Sequence, residues 1–308
     1  MSIFSNFNTS NKKILLFWGL VILMLSVVVN SIALCSLGSR LEPDSVGYIR
    51  VAKNFIEYGS LLENDYESGV LVPFTERTPG YPLFLAGIYK LFGGSKSITT
   101  IIATFQVLFL AASSLLVFIL GMYAFGERVC VVSGLFAAAD PWASLAGIMI
   151  LPDSLFYFAT TLSILIGVYT LKSNNSTKWI KAFLWGVSIG FSSMFRSVIS
   201  YFWLITLPIF IYNSSIRRAT VFFILFMMGI ILFTGGWAYR NYKTTGFWGL
   251  QSATGVSLLW ASHNLTRPST ANDYKIDPKL AKVRDMVASG TNPMKLMTPI
   301  RKELNLSP

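Results

Sequence analysis

The feature that most constrains this chain is a series of long apolar runs separated by polar segments. The runs at 14–37 and 98–123 are each long enough, as helices rising about 1.5 Å per residue, to cross a hydrocarbon core of about 30 Å. Only 13% of the 308 residues are charged, whereas a soluble domain usually has about 25%. The sequence therefore predicts an all-α polytopic membrane protein.

The distribution of charge between these runs predicts the topology. If the N-terminus lies inside, eight basic residues fall in inner segments against a single acid, Glu127. These basic residues are Lys12, Lys13, Arg128, Lys172, Lys178, Lys181, Arg217 and Arg218. Because inner loops carry the excess of Lys and Arg, we predict a cytoplasmic N-terminus, an outer loop at 38–97 and seven passages. Two passages are short and meet near 192–200.

No basic and aromatic stripe accompanies the net charge of +11, so no nucleic-acid partner is predicted.

The outer loop opens with Glu42-Pro43-Asp44, which predicts the start of a helix. Pro43 disfavours helical geometry at Glu42, and Asp44 occupies the position expected of an N-cap. Apolar residues at helical spacing continue to Gly59, so the helix is amphipathic. Asp44 and Tyr48 are four residues apart and share one face. Two interpretations stay open: Asp44 caps a helix on the bilayer, or it presents a carboxylate at the mouth of a membrane cavity.

The second half of the loop reads Glu76-Arg77-Thr78-Pro79-Gly80-Tyr81-Pro82, followed by an apolar stretch at 83–92. The prolines and the glycine forbid a continuous helix through this segment. The apolar stretch is too short to span a membrane and predicts an interfacial or re-entrant helix. Glu76 and Arg77 are either site residues or a surface ion pair. Tyr81 is either an interface anchor or a platform for a sugar ring.

Further charged residues are predicted at the outer face. Arg196 lies in the middle of an apolar segment at 181–212, and a charge at membrane depth usually faces a cavity, although a snorkelling arginine is the alternative. Asp153 ends an outer turn predicted at 140–153, where it either caps the next span or acts as a ligand. Asp44, Glu76 and Asp153 together could hold a divalent cation, Mg²⁺ or Mn²⁺. The only histidine, His263, excludes a histidine-rich metal site.

Three motifs together resemble a known family. They are Asp44 with Tyr48, the segment from Arg77 to Pro82, and Trp237-Ala238-Tyr239-Arg240-Asn241 followed by Gly246 and Phe247. Their order and spacing resemble the bacterial polyprenyl-phosphate-sugar-dependent glycosyltransferases of the GT-C fold, relatives of protein O-mannosyltransferases and of the aminoarabinose transferase. The resemblance covers about 14–260 and implies a GT-C-like helical bundle with amphipathic helices in the outer loop.

The resemblance implies that a sugar passes from a polyprenyl phosphate to a hydroxyl acceptor at the outer face of the cytoplasmic membrane. It implies Asp44 as the base, Glu76-Arg77 and Asp153 at positions where the family has functional charged residues, and Arg240 as the arginine of the motif at 237–241. The chemistry agrees, because a hydroxyl nucleophile needs a proton acceptor and a leaving phosphate needs the bidentate positive charge of arginine. Substrate contacts are therefore predicted for Tyr48, Arg77, Tyr81, Arg196 and Arg240.

The sequence departs from the family pattern in two places. Some relatives have two adjacent acids where this chain has Asp44-Ser45. Relatives also continue through several more spans, whereas here a transmembrane core at 1–260 is followed by a polar outer tail at 261–308. A truncated, inactive transferase is thus one alternative to an active enzyme. A lipid-linked sugar flippase is the other, although its charges would be expected within spans rather than in one outer loop.

Overall fold

The computed structural model of the chain describes residues 9–64, 69–93, 95, 97–173 and 175–252. The tail predicted at 261–308, with His263, lies outside the described residues, so the division of the chain near residue 260 stays a prediction. The described part consists of helices and one small antiparallel hairpin. The elements are α1 (Thr9–Leu37), α2 (Pro43–Tyr58), β1 (Leu62–Asn64), β2 (Leu71–Pro73), α3 (Gly80–Phe92), α4 (Ile98–Ala124), α5 (Glu127–Ala138), α6 (Pro141–Ile148), α7 (Asp153–Leu171), α8 (Asn175–Ser193), a 3-10 helix (Ser197–Phe202), α9 (Trp203–Asn213) and α10 (Ile216–Thr245).

Four of these helices, α1, α4, α7 and α10, are long and apolar enough to cross a membrane. The pair α5 and α6 passes the same test when taken as one span, bent by 44°. The bend falls at Asp140-Pro141, where Asp140 Oδ1 accepts a hydrogen bond from the backbone N–H of Trp142 and so caps α6. These helices confirm an all-α polytopic membrane protein.

The remaining apolar segment breaks where the sequence predicted two short passages to meet. Helix α8 ends at Ser193, and the 3-10 helix begins at Ser197 and leads into α9. Packing of α8 against α10 brings their backbones together at Gly186, where a Cβ atom would overlap the backbone of Phe226. Small residues permit such close approach between helices in a bilayer. The total of seven passages stays a prediction.

The loop predicted to lie at the outer face folds into α2, the hairpin and α3, and the expectation about the N-cap of α2 is wrong. The N-cap of α2 is Glu42 and not Asp44, because Pro43 takes the first helical position; the Glu42 N–H donates to Ser45 Oγ at 2.8 Å. Helix α3 begins at Gly80, before the predicted apolar stretch. It packs between α2 and α4 with Leu85 fully buried, and its interfacial or re-entrant position stays a prediction.

Backbone hydrogen bonds fasten this loop to the ends of three other elements. Arg40 pairs with the turn after α6, its N–H donating to Ile148 O at 2.8 Å. The Gly80 N–H donates to Met194 O, at the end of α8, at 2.7 Å. The Ser252 N–H, beyond α10, donates to Thr75 O at 2.9 Å. This loop is thereby held against the ends of α6, α8 and α10, and the predicted site residues gather at this end of the bundle.

Candidate active site

Asp44 and Arg77 form an ion pair at the centre of this end. Arg77 Nη2 donates to Asp44 Oδ1 at 2.7 Å. Asp44 lies in the first turn of α2, where the positive end of the helix dipole favours a carboxylate. Arg77 comes from the segment that leads into α3, and the packing of α3 against α2 brings the two side chains together. The interpretation of Asp44 as a helix cap is therefore wrong.

The guanidinium group of Arg77 has two further neighbours. Glu76 Oε1 lies 3.6 Å from Arg77 Nη2, and the guanidinium carbon stands 4.9 Å from the centre of the Tyr48 ring. Burial alone would lower the pKa of Arg77, but Tyr48, Asp44 and Glu76 together raise it above its ordinary value. Burial raises the pKa of Tyr48 as well. At neutral pH Arg77 is therefore a permanent cation, and Tyr48 keeps its phenolic proton.

A second arginine–carboxylate pair joins Arg196 to Asp153, with Nη2 and Oδ1 2.6 Å apart. Arg196 has extended backbone geometry at the break between α8 and the 3-10 helix. Asp153 is the first residue of α7, while Pro152 occupies the N-cap position, so the capping interpretation of Asp153 is wrong too. The Arg196 side chain remains 46% exposed. It therefore combines a fixed orientation with access to a ligand.

Two cavities meet at the Asp44–Arg77 pair. The smaller, of about 350 Å³, is bordered on its other side by Arg196. The larger, of about 580 Å³, lies between α2 and the hairpin. Asp44, Tyr48, Glu76 and Arg77 line both. Both volumes fall within the range of about 300–1,000 Å³ typical of small-molecule sites. The four residues thus form a shared wall, from which one carboxylate can act on molecules bound at either side.

Tyr81 does not reach either cavity, which corrects the predicted substrate contact. Its ring is fully buried and packs edge-on against Tyr48. Its hydroxyl group donates to Gln106 Oε1 at 2.7 Å, and Gln106 Nε2 donates to Gly147 O at 3.0 Å and Met149 O at 2.6 Å. Tyr81 thus packs against Tyr48 from the interior of the protein and fixes the position of its ring. The sequence analysis did not identify Gln106, although an amide side chain within the apolar run of α4 is a signal that the sequence itself contains.

Arg240, predicted to contact the phosphate, lines neither of the two cavities. Its Nη1 donates to Phe74 O at 2.5 Å and its Nη2 to Leu61 O at 2.8 Å. The guanidinium group lies over the ring of Trp237, 4.8 Å from its centre. Trp237 is itself buried and donates to Leu250 O at 2.8 Å. Arg240 therefore holds the two ends of the hairpin against α10, and we reassign it as a positioning residue.

The three carboxylates predicted to hold a metal do not form a ligand cluster. Within the described ranges, no group of three or more His, Cys, Asp or Glu side chains is placed to hold a metal ion. Asp44 and Asp153 are instead each paired with an arginine. The residues present do not fit a three-carboxylate Mg²⁺ or Mn²⁺ site, and we derive no chemical step through a metal.

Glu63, in β1, is a further carboxyl group of the site that sequence reasoning missed. It lines the larger cavity. Burial raises the pKa of Glu63 to about 7, and Glu76 also raises it, while the Thr75 N–H, Arg77 and Arg240 lower it. Nothing in the local sequence distinguishes Glu63 from the other acids of the outer loop. Its setting depends on the fold of the hairpin.

Comparison with known proteins supplies an independent observation. The family model described as dolichyl-phosphate-mannose-protein mannosyltransferase matches residues 76–239, just over half of the chain. The match includes Arg77, Asp153 and Arg196, begins after Asp44 and ends one residue before Arg240. Comparison with individual curated proteins gives no match. The chain therefore belongs to the dolichyl-phosphate-mannose-protein mannosyltransferase family, multi-pass membrane glycosyltransferases of the GT-C type that use a lipid-phosphate-linked sugar as donor.

Proposed function

We propose that this protein transfers a hexosyl or pentosyl group from a polyprenyl phosphate to a hydroxyl group of an acceptor, at the outer face of the cytoplasmic membrane. The acceptor is a glycolipid, a polysaccharide or a protein. The observation that carries the proposal is the position of the Asp44–Arg77 pair in the wall between two cavities. Such a wall can hold a base for one substrate and a positive charge for the other.

The smaller cavity is the place for the donor phosphate. Arg77 and Arg196 both border it, and guanidinium groups bind phosphate oxygens with paired, permanently charged donors. Val198, which is exposed, also borders it and continues the apolar surface of the 3-10 helix. A polyprenyl chain can extend along that surface while its phosphate remains between the arginines.

Asp44 is the base in this proposal. The acceptor oxygen forms a bond to the anomeric carbon of the sugar, and the bond from that carbon to the phosphate oxygen breaks. The phosphate departs with the electron pair, which Arg77 and Arg196 stabilise, and the acceptor proton passes to Asp44. The ion pair engages Oδ1 of Asp44, and the side chain is 59% exposed, so the carboxylate remains open to an incoming hydroxyl group. A positioned base of this kind contributes about 10²–10⁴-fold to the rate.

The test is a transfer assay in liposomes that contain the purified full chain. Polyprenyl-phosphate hexose and polyprenyl-phosphate pentose, each labelled in the sugar, are supplied with a membrane extract as the source of acceptors. Label is then measured in lipid, water-soluble and protein fractions, together with release of polyprenyl phosphate. We expect label in one fraction, matched by equal release of polyprenyl phosphate.

The Arg77→Gln variant should lose about 10- to 100-fold in transfer, because charge-assisted hydrogen bonds to the phosphate are removed. The matched control is Arg128→Gln, which removes an exposed arginine at the opposite end of the bundle. Movement of intact donor across the bilayer without release of polyprenyl phosphate would indicate the flippase alternative. Equal losses in the two variants would contradict a specific role for Arg77.

A further inference from the structure

Glu63 lies at a fixed position in the larger cavity. The hairpin register pairs it with Val72, and Asn54 Nδ2 donates to Leu62 O at 3.0 Å, which ties β1 to α2. Arg240 bonds the carbonyl groups of Leu61 and Phe74, just outside the two strands. The backbone at Glu63 is therefore held by three elements, and the residue does not lie on a loop tip.

Burial favours the neutral form of Glu63, and the charges around it act in both directions. Asp44 and Glu76 line the same cavity with carboxylates, and Arg50 and Arg77 line it with cations. Burial is the largest cause of the raised pKa of Glu63, about 7; Glu76 also raises it, whereas Arg77 and Arg240 lower it. Near neutral pH the group therefore exists in comparable amounts as acid and as carboxylate. A neutral carboxyl group both donates and accepts hydrogen bonds, as a sugar or side-chain hydroxyl also does.

We propose that the carboxyl group of Glu63 binds a hydroxyl of the acceptor in the larger cavity, on the opposite side of the Asp44–Arg77 wall from the donor phosphate. This inference rests on the proposed transferase function. The accepting group is uncharged, because the carboxylates of Asp44 and Glu76 offset the two arginines of this cavity and leave no net positive charge for a second phosphate. The cavity volume of about 580 Å³ accommodates a hydroxyl-bearing group of sugar size.

The first experiment tests the state of Glu63 without any substrate. Dicyclohexylcarbodiimide adds to protonated carboxyl groups in apolar surroundings, and mass spectrometry identifies the modified residue. We expect Glu63 to be labelled at pH 6 and labelling to fall by about tenfold by pH 8, because the neutral fraction falls from about 0.9 to about 0.1. Glu57, exposed on α2 and outside both cavities, is the matched acid and should remain unlabelled at both pH values. Absence of label on Glu63 at pH 6 would overturn the inference.

The second experiment compares Glu63→Gln and Glu63→Ala in the transfer assay at pH 6 and pH 8. Alanine removes the hydrogen bond, so transfer at pH 6 should fall about tenfold. Glutamine retains a neutral donor and acceptor, so it should restore most of that loss. Between pH 6 and pH 8, wild-type transfer should fall about tenfold more than transfer by Glu63→Gln, because glutamine does not ionise. Glu57→Gln should keep the wild-type pH profile.

Binding of polyprenyl phosphate, measured by competition with the labelled donor, separates the acceptor side from the donor side. Its affinity should change less than threefold in both Glu63 variants. A larger loss in both would overturn the inference by assigning Glu63 to the donor site or to hairpin stability. If Glu63 is labelled as expected but the wild-type chain releases no polyprenyl phosphate, the proposed function fails, and the acceptor role fails with it. Wild-type transfer by Glu63→Ala at both pH values would overturn the acceptor role alone.

Discussion

Replacement of Arg240 tests whether this residue positions the hairpin or binds substrate. The guanidinium group bonds the carbonyl oxygens of Phe74 and Leu61 and lies over Trp237. Each hydrogen bond to a charged group contributes about 1.5–3 kcal/mol, and the ring contact adds about 0.5–1 kcal/mol. Arg240 is half-buried, so in Arg240→Ala water can take over part of these contacts. The variant should therefore weaken attachment of the hairpin by about 2–4 kcal/mol.

Hydrogen exchange of the backbone measures this loss directly. A change of about 2–4 kcal/mol in the free energy of local opening speeds exchange by about 30- to 1,000-fold. The effect should appear in the hairpin amides, including that of Phe74, which donates to Leu61 O at 3.0 Å in the wild type. Arg240→Lys should fall between the wild type and Arg240→Ala, because one ammonium group cannot bridge both carbonyl groups with the geometry of the guanidinium fork.

The control is Lys243→Ala, which removes an exposed positive charge one turn further along α10. It should leave exchange in the hairpin unchanged. Wild-type exchange in Arg240→Ala, combined with a selective loss of polyprenyl-phosphate binding, would refute this reasoning. That result would instead return Arg240 to the role of a phosphate ligand.

Three further predictions follow from the same end of the bundle. Arg196→Lys should retain more polyprenyl-phosphate binding than Arg196→Ala, since lysine keeps the charge but loses the fork; equal binding by both variants would remove Arg196 from the donor site. Chelation with EDTA should leave transfer largely intact, because Arg77 and Arg196 stabilise the phosphate in this proposal; a loss of transfer that Mn²⁺ restores would contradict it. A cysteine at Ser60 should react with an impermeant maleimide from outside and one at Asn213 only after permeabilisation, and the reverse pattern would contradict the topology.

The sequence predicts the membrane helices well because their signal is local. Run length and charge at each end determine where a span begins and ends, without reference to distant residues. This holds even for the break at Arg196, where a charge inside an apolar segment marks the end of a short helix. The face shared by Asp44 and Tyr48 is equally local, and both side chains meet Arg77 as a consequence.

The roles of individual side chains were harder to predict because their partners are distant in sequence. Tyr81 bonds Gln106, and Arg240 bonds the carbonyl of Phe74, 166 positions away. Composition around Tyr81 or Arg240 carries no information on those partners. The N-cap of α2 could have been predicted correctly from the sequence. Proline is favoured at the first helical position, so Pro43 assigns the cap to Glu42.

The most direct test of the central claim is transfer by the Asp44→Asn variant. Asparagine removes the proton acceptor but leaves the cap of α2 in place, since Glu42 forms it. Loss of the partly exposed ion pair to Arg77 should cost no more than about 1 kcal/mol in stability.

The control is Asp140→Asn, which makes the same chemical change at the cap of α6, where asparagine caps about as well as aspartate. At matched abundance, we expect transfer of labelled sugar from polyprenyl phosphate to fall at least about 100-fold in Asp44→Asn, and to remain near wild type in Asp140→Asn. Wild-type turnover by Asp44→Asn would contradict the assignment of Asp44 as the base.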